Sequence, residues 1–473
     1  MKRNIIRFAL CAGVLFTVFS CGADYLDINE NPNVATRPPL DGLLAEASYN
    51  TALNQQRVSG SHAAFFVQYL ASPNEANTTD IYLEVSGSSA WSNLYNTMTN
   101  VYDLIRFGEE DGAQAHVGIG KVLMAINLGL VVDNWGNAPY TDAFSGETLR
   151  PTYDSAEDLY QTIFTLLDEA ENALDAFDGT PRIKSGSDFI FEVTGNDDLD
   201  PWRKTISALR ARYLNHLSET GQYDAAAVLA AVDDSFTSTD DDADLKTFLV
   251  RNPWAQVAVN NDALLLGGWL SEQFVDALNG TTFGVADPRL PLLTDTTIFG
   301  DYRGTPNGVG RTGDGTQPDE TYLQSDKGPA AVDASLDIIT FMELKFIEAE
   351  AALATGSQER ADAAFRTGIR ASMNELGVAA DAIEAYLTDA YGEEDEDIDR
   401  DDIFREKYVA LFLHPETWVD ARRYDYAYED FTLAANAAIA TFPARLQYPN
   451  TELDRNRANT PTVTLTDALF WDQ

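Results

Sequence analysis

Ile119-Gly-Lys-Val-Leu-Met-Ala-Ile-Asn-Leu-Gly-Leu130 decides the class of fold. Counted from Ile119, apolar side chains recur at Val122, Leu123, Ile126 and Leu130, offsets of three, four, seven and eleven that put them on one face of a helix. The same spacing runs from Met342 through Phe346, Ala349 and Leu353. Comparable amphipathic stretches lie at about 41–58, 61–71, 90–107, 154–176, 202–219, 222–231, 268–279, 358–376 and 400–413, so the chain is expected to be mainly α. Strand-like alternation is scarce. Phe189–Val193, the segment near Phe248–Arg251 and the neighbourhood of Tyr302 are expected to form short hairpins. Between Thr281 and Pro329 the helical period gives way to a glycine- and proline-rich stretch, read as a long surface insertion of the kind that carries function. No strict tandem repeat stands out, but helix pairs joined by short loops fit a degenerate helical-hairpin array.

Outward from these helices, the whole chain of 473 residues is 45% apolar and 23% charged, the balance of a folded protein. Its 32 Lys and Arg face 75 Asp and Glu, a net charge of −43. Such a surface repels polyanions, which argues against nucleic acid and against an anionic membrane face as partners. The two cysteines, Cys11 and Cys21, both fall at the amino terminus, leaving the body without disulfides or thiolate metal ligands.

The start reads as a secretion signal: basic Lys2, Arg3 and Arg7, an apolar run Phe8–Phe19, then Ser20 before Cys21. A cysteine ending such a run resembles the bacterial lipobox, with Val18 and Ser20 in place and Cys21 the acylated first residue of the mature protein. The run is too short to span a bilayer, which takes roughly 20 apolar residues. Later in the chain the longest apolar run, Val122–Val132, is broken by Asn127 and Gly129, so the expected attachment is a lipid. Residues 1–20 are thus read as signal peptide, 21–39 as a lipidated tether and 40–473 as one binding domain.

Catalytic and metal signatures are weak. His62, His116, His216 and His414 lie on separate helices with no HExxH spacing, and no metal or other cofactor is expected. Gly308-Val-Gly-Arg-Thr-Gly313 matches GxGxxG but lacks the preceding strand and following helix that a dinucleotide needs. Asp395, Asp397, Asp399 and Glu406 fall on positions 1, 3, 5 and 12 of a calcium loop, but Arg400 stands where the turn wants glycine, and the segment reads as an acidic lead into a helix. The run Asp240, Asp241, Asp242 and Asp244 is read the same way. Acidic residues are so abundant that no pair stands out as a glycosidase acid and base, and the protein is not expected to be an enzyme.

Aromatic rings are the other resource, with seven Trp, 20 Tyr and 24 Phe. Rings stack on the apolar faces of sugars while amides and carboxylates pair with the hydroxyls. Asn74, Asn77, Asp80 and Tyr82, in a polar loop, are the candidates for exposed, ligand-facing groups, with Tyr302 in the insertion as another. Trp91 is a further candidate, on a helix where core packing competes with ligand stacking.

Several segments together resemble the SusD/RagB family of outer-membrane nutrient-binding lipoproteins, in the branch whose mature chains begin Asp-Ile-Asn-x-Asn-Pro-Asn. Here that run is Asp27-Ile-Asn-Glu-Asn-Pro-Asn33. Asp133-Asn-Trp-Gly-Asn-Ala-Pro-Tyr140, Trp202–Arg212, Asp287-Pro-Arg-Leu290, Glu343–Ala352, Glu406–Phe412, Trp418–Arg423 and Pro443–Pro449 follow in family order. The resemblance implies a mainly helical fold with tetratricopeptide-like hairpins supporting a loop-rich variable half with a few short strands. It also implies a non-catalytic lipoprotein at the cell surface that binds oligo- or polysaccharide and delivers it to a SusC-like TonB-dependent outer-membrane transporter. The family's ligand contacts come from variable loops, so none is carried over by residue. Physically, Gly136 and Pro139 form a helix stop. Arg422 and Arg423, scarce cations in this chain, are expected to pair with carboxylates such as Glu343 or Glu350. A peptide or other nutrient in place of glycan, a surface glycosidase, and a helical-repeat protein scaffold are the competing functions.

Overall fold

The computed structural model describes residues 37–193, 198–262, 267–312, 319–392 and 397–472. Helix α1 (Leu40–Val58) passes into a π turn, Ser59–Ala63, and a short helical Ala64–Phe66, before strand β1 (Leu70–Ala71). Then come α2 (Ser88–Asp111), α3 (Gln114–Trp135), α4 (Ala156–Asp175), α5 (Asp200–His216) and α6 (Ala225–Asp233). Strand β2 (Ala243–Leu245), α7 (Pro253–Asp262), β3 (Trp269–Leu270), α8 (Glu272–Asn279), α9 (Leu290–Leu293) and β4 (Leu336–Ile339) form the middle of the chain. The last elements are α10 (Phe341–Ala354), α11 (Gln358–Glu375), α12 (Ala380–Tyr391), α13 (Arg400–Ala410), α14 (Glu416–Arg423) and α15 (Asn450–Arg455). Residues Leu40–Gln473 cluster as one unit.

Helix α3 is where the core is deepest. It packs against α1, α2, α4 and α5, and is buried on every side. Small residues allow that approach. A Cβ on Gly129 would lie 2.2 Å from the Tyr213 hydroxyl, and one on Gly118 would lie 2.5 Å from Leu174. Successive helices joined by short connections, α2 with α3 and α10 with α11, make the expected hairpins. A second apolar cluster, with Phe346, Phe365, Ile369 and Tyr386, holds α10 to α12 together.

Buried ion pairs cross-link these layers. Arg212 of α5 grips Glu343 of α10 at 2.5 and 2.6 Å, and Arg423 pairs with Glu350 at 2.9 Å and Asp420 at 2.6 Å. Lys407 reaches the same two carboxylates, each at 3.0 Å. Glu350 is drawn down to about 2, against its burial, by Arg423 and Lys407. The expected carboxylate partner is therefore found for Arg423 and not for Arg422. Arg422 donates to the carbonyls of Trp418, Asp133 and Ala444 at 2.9, 2.7 and 3.0 Å, and its guanidinium lies 4.0 Å over the Trp418 ring. It thereby ties the end of α3 to the C-terminal segment.

The expected strands fall elsewhere. Phe189–Val193 is irregular because Asp188 Oδ1 accepts the Ile190 N–H at 2.9 Å and the Phe191 N–H at 3.4 Å, turning the chain in place of a ladder. Phe248–Arg251 and Tyr302 also lie outside strands. The pairs that do form are antiparallel: β1 with β3, matching Leu70 to Leu270, and β2 with β4, matching Asp244 to Asp337. The described residues between Thr281 and Pro329 are largely irregular, as expected, but they are knitted into the core. Arg289 is wholly buried, between Asp287 and Glu406, both at 2.6 Å.

Candidate functional site

The site grows from the β1–β3 pair. Ser271 N donates to Tyr69 O at 3.0 Å, and the insertion returns alongside, with Thr305 N donating to Leu270 O at 2.8 Å. The segment after Thr305 is then fixed to the polar loop at 73–82. Asp80 Oδ1 accepts from Asn307 Nδ2 and its Oδ2 from Gly308 N, both at 2.6 Å. Arg311 N donates to Pro73 O at 3.0 Å and Ala76 N to Gly308 O at 3.2 Å. The backbones meet so closely that glycine is required: at Gly308, with φ +79°, a Cβ would stand 1.8 Å from Ala435 O, and at Gly310, with φ +81°, 2.6 Å from Glu75 N.

Two clefts are built from these loops and their neighbours. One, of about 320 Å³, is lined by Gln68, Glu272, Asp276, Asn307, Asp430 and Thr432 and carries three carboxylates. Burial, with Asp276 and Glu320 adding to it, raises the Glu272 carboxyl. The other, of about 260 Å³, is lined by Ser61, Phe65, Ser72, Asn74, Asn77 and Thr79, with glycines at 60 and 267. Its polar groups are neutral hydroxyls and amides beside one aromatic ring. Its floor is ordered from below: Ser61 Oγ and His62 Nδ1 are 2.6 Å apart, and His62 Nε2 lies 2.6 Å from Asn134 Oδ1. Burial lowers His62 to about 4, so the imidazole is neutral at physiological pH.

Of the residues singled out from sequence, Asn74 and Asn77 are exposed and line the neutral cleft. Asp80 and Tyr82 are not exposed. Asp80 is fully buried as the clamp between the two loops, and burial raises its carboxyl. Tyr82, at φ +60°, is buried with its ring 5.4 Å from Phe66. Trp91 is buried against Tyr95 and Trp135, at 4.7 and 5.2 Å. Tyr302 is half-buried against the core. All seven tryptophans are buried, Trp91 and Trp269 being the most accessible at 4%. The aromatic surface of the cleft is therefore Phe65. Ser61 and Phe65 lie inside the apparent helix at 61–71 and Ser72 just beyond its end; the Ser59-Gly-Ser61 interruption, which becomes the π turn, is the available signal.

The other motifs have structural uses. Asp399 caps α13 in a capping box with Asp402. Glu406 is buried under Arg289, Tyr386 and Tyr391, which removes it from any calcium loop. Asp395 and Gly313 lie outside the described residues, as does Cys21. His116 faces Asp41 at 3.3 Å, and His216 bonds Tyr160 and Glu416.

A helical scaffold that holds a loop-built, neutral cleft defines a binding protein of a recognisable class. The chain belongs to the SusD-like family, described as starch-binding and associating with the outer membrane, whose family model matches residues 32–449. Proteins of this family bind carbohydrate and are not enzymes. The fold is shared with a chitin-binding SusD homologue from Flavobacterium johnsoniae, at 19% identity and a TM-score of 0.76 over 92% of this chain and 98% of that one. It is shared too with a SusD/RagB family protein from Bacteroides thetaiotaomicron, at 21% identity and a TM-score of 0.72 over 92% and 99% of the two chains. A SusD homologue from Bacteroides uniformis is similar at 17% identity and a TM-score of 0.75 over 91% and 99%. A comparison with curated protein sequences returned no match.

Proposed function

We propose that this protein is a cell-surface lipoprotein, anchored through Cys21, that binds neutral glycan in the cleft at Ser61, Phe65, Ser72, Asn74 and Asn77. It passes the glycan, without chemical change, to a SusC-like TonB-dependent transporter in the outer membrane. Residues 1–20 are its signal peptide, 21–39 its tether and 40–473 its binding domain. The observation that carries the proposal is the lining of that cleft: hydroxyl and amide groups that pair with sugar hydroxyls, and a ring that packs on a sugar face. None of the described residues lining it is a carboxylate, and glycoside hydrolysis ordinarily takes two. The chitin-binding protein of the same fold makes chitin oligosaccharides a sensible member of any ligand panel. Anchoring holds the protein at a high effective concentration beside its transporter, so modest affinity suffices.

Affinity electrophoresis of the full chain in polysaccharide-containing gels tests the cleft. Asn74→Ala combined with Asn77→Ala is expected to weaken retardation roughly tenfold, the loss of one or two hydrogen bonds to ligand, while leaving the melting temperature unchanged because both side chains are exposed. Retardation equal to wild type would remove the glycan from this cleft.

A further inference from the structure

A third pocket lies apart from both of these clefts. It holds about 390 Å³, and Asp333, Asp337, Met342, Glu375, Leu376 and Phe412 are among the residues lining it. A recess of about 30 Å³ adjoins it, sharing Pro329, Ser335, Asp337 and Phe412, with Gln55, Trp254 and His414 among its other walls. Gln55 is 2% exposed, yet neither its Oε1 nor its Nε2 has a protein partner. A buried primary amide left unpaired at both ends is costly, so a molecule able to bond it is favoured there.

The surrounding charge is one-sided. Asp244 and Asp337 stand opposite each other across the β2–β4 pair, an unfavourable placement for like charges. Asp242 belongs to the same acidic group, and burial, with Asp337, Asp242 and Asp244 adding to it, raises the Glu375 carboxyl. Lys246, 3.1 Å from Asp244, is the cation acting on this group. Arg289 touches the wall at Ser372, 3.3 Å away, but its charge is matched by Asp287 and Glu406, both at 2.6 Å. Arg212 is matched by Glu343 at 2.5 Å. Burial and the Arg212 charge keep His414 neutral, so it contributes no positive charge.

We propose that this pocket is a second binding site, for a small organic cation bearing a protonated amine. Its ammonium lies by Asp337 and Glu375, a neighbouring donor or acceptor pairs with the Gln55 amide, and its carbon skeleton packs on Met342, Leu376 and Phe412. An organic cation fits better than a metal ion on two grounds. The volume falls in the small-molecule range, and no group of three or more His, Cys, Asp or Glu among the described residues is placed to hold a metal. The site shares no lining residue with the neutral cleft, so it stands or falls independently of the glycan proposal.

Isothermal titration of the full chain with 1,4-diaminobutane, its neutral analogue 1,4-butanediol and calcium chloride is the test. Saturable heat from the diamine and none from the diol is expected. Gln55→Leu and Asp337→Asn are each expected to weaken the diamine roughly tenfold. Glu375→Gln, which keeps the side chain's size and its place in the lining, is expected to weaken it several-fold. Asn74→Ala with Asn77→Ala leaves it unchanged. No saturable diamine binding, equal binding of the diol, calcium binding in preference to the diamine, or full affinity in both Asp337→Asn and Glu375→Gln would overturn the proposal.

Discussion

Asp80 shows how a side chain chosen for one role serves another. As an acidic residue in a polar loop it resembles a ligand contact; in the fold it is the acceptor that fastens the loop at 73–82 to Asn307 and Gly308. Removing it leaves two buried donors unpaired, so Asp80→Ala should lower stability in chemical denaturation by about 3 kcal/mol, with Asp80→Asn losing less because an amide oxygen still accepts. Glycan affinity should fall with it, since Asn74 and Asn77 hang on the same loop. A variant as stable as wild type would mean that the two loops are held by their other contacts. None of this was readable in the sequence, because Asp80 and its partners are separated by 227 and 228 residues. Asn74 and Asn77 were readable because polar, turn-forming loops stay at the surface whatever they pack beside.

At the scale of elements, the long helices with a strong period were legible, and of the short ones only some. The stretches that became α3 and α10 announce themselves through repeated apolar spacing, although α3 is buried on all sides and not on the one face that the spacing marks. Helices α7, α12 and α14, of 10, 12 and 8 residues, fall outside the marked stretches, whereas α6 and α8, of 9 and 8 residues, fall within them, so length alone does not decide. Strands of two to four residues carry no alternation at all, which is why β1 to β4 were missed and Phe189–Val193 was misplaced. The β2–β4 pair has a consequence for pH. Burial, reinforced by Asp337 and Asp244, pushes the Asp242 carboxyl from 3.8 up to about 8. A carboxyl so raised binds its proton more tightly folded than unfolded. Its contribution to stability is therefore whole below the ordinary value and is lost as pH rises through about 8. Asp242→Asn keeps an oxygen for the Phe341 N–H, and its melting temperature should match wild type at about pH 4 and exceed it increasingly toward about pH 8. A gap that stays the same across that range would contradict the raised carboxyl.

Across the whole molecule, charge and family membership point to the same setting. A net charge of −43 keeps the surface hydrated and rules against polyanionic partners, while the SusD-like family places the protein at the outer membrane. The proposed attachment through a single cysteine is directly testable. Cys21→Ser should move the protein from the membrane fraction to the soluble fraction of fractionated cells, and retention in the membrane would exclude lipid as the anchor. The scaffold could be read from motifs strung along the chain, since they encode helix packing and buried ion pairs. The ligand could not, since the cleft assembles from the π turn at Ser59–Ala63, β1, the loop at 73–79 and Gly267. The central proposal is capture without cleavage. The most direct test is calorimetric titration of the full chain with a panel of neutral polysaccharides and their oligosaccharides, including chitin oligosaccharides, with reducing ends assayed in the same samples. Saturable binding of at least one glycan with no new reducing ends is the predicted result; the appearance of reducing ends, or no binding across the panel, would contradict it.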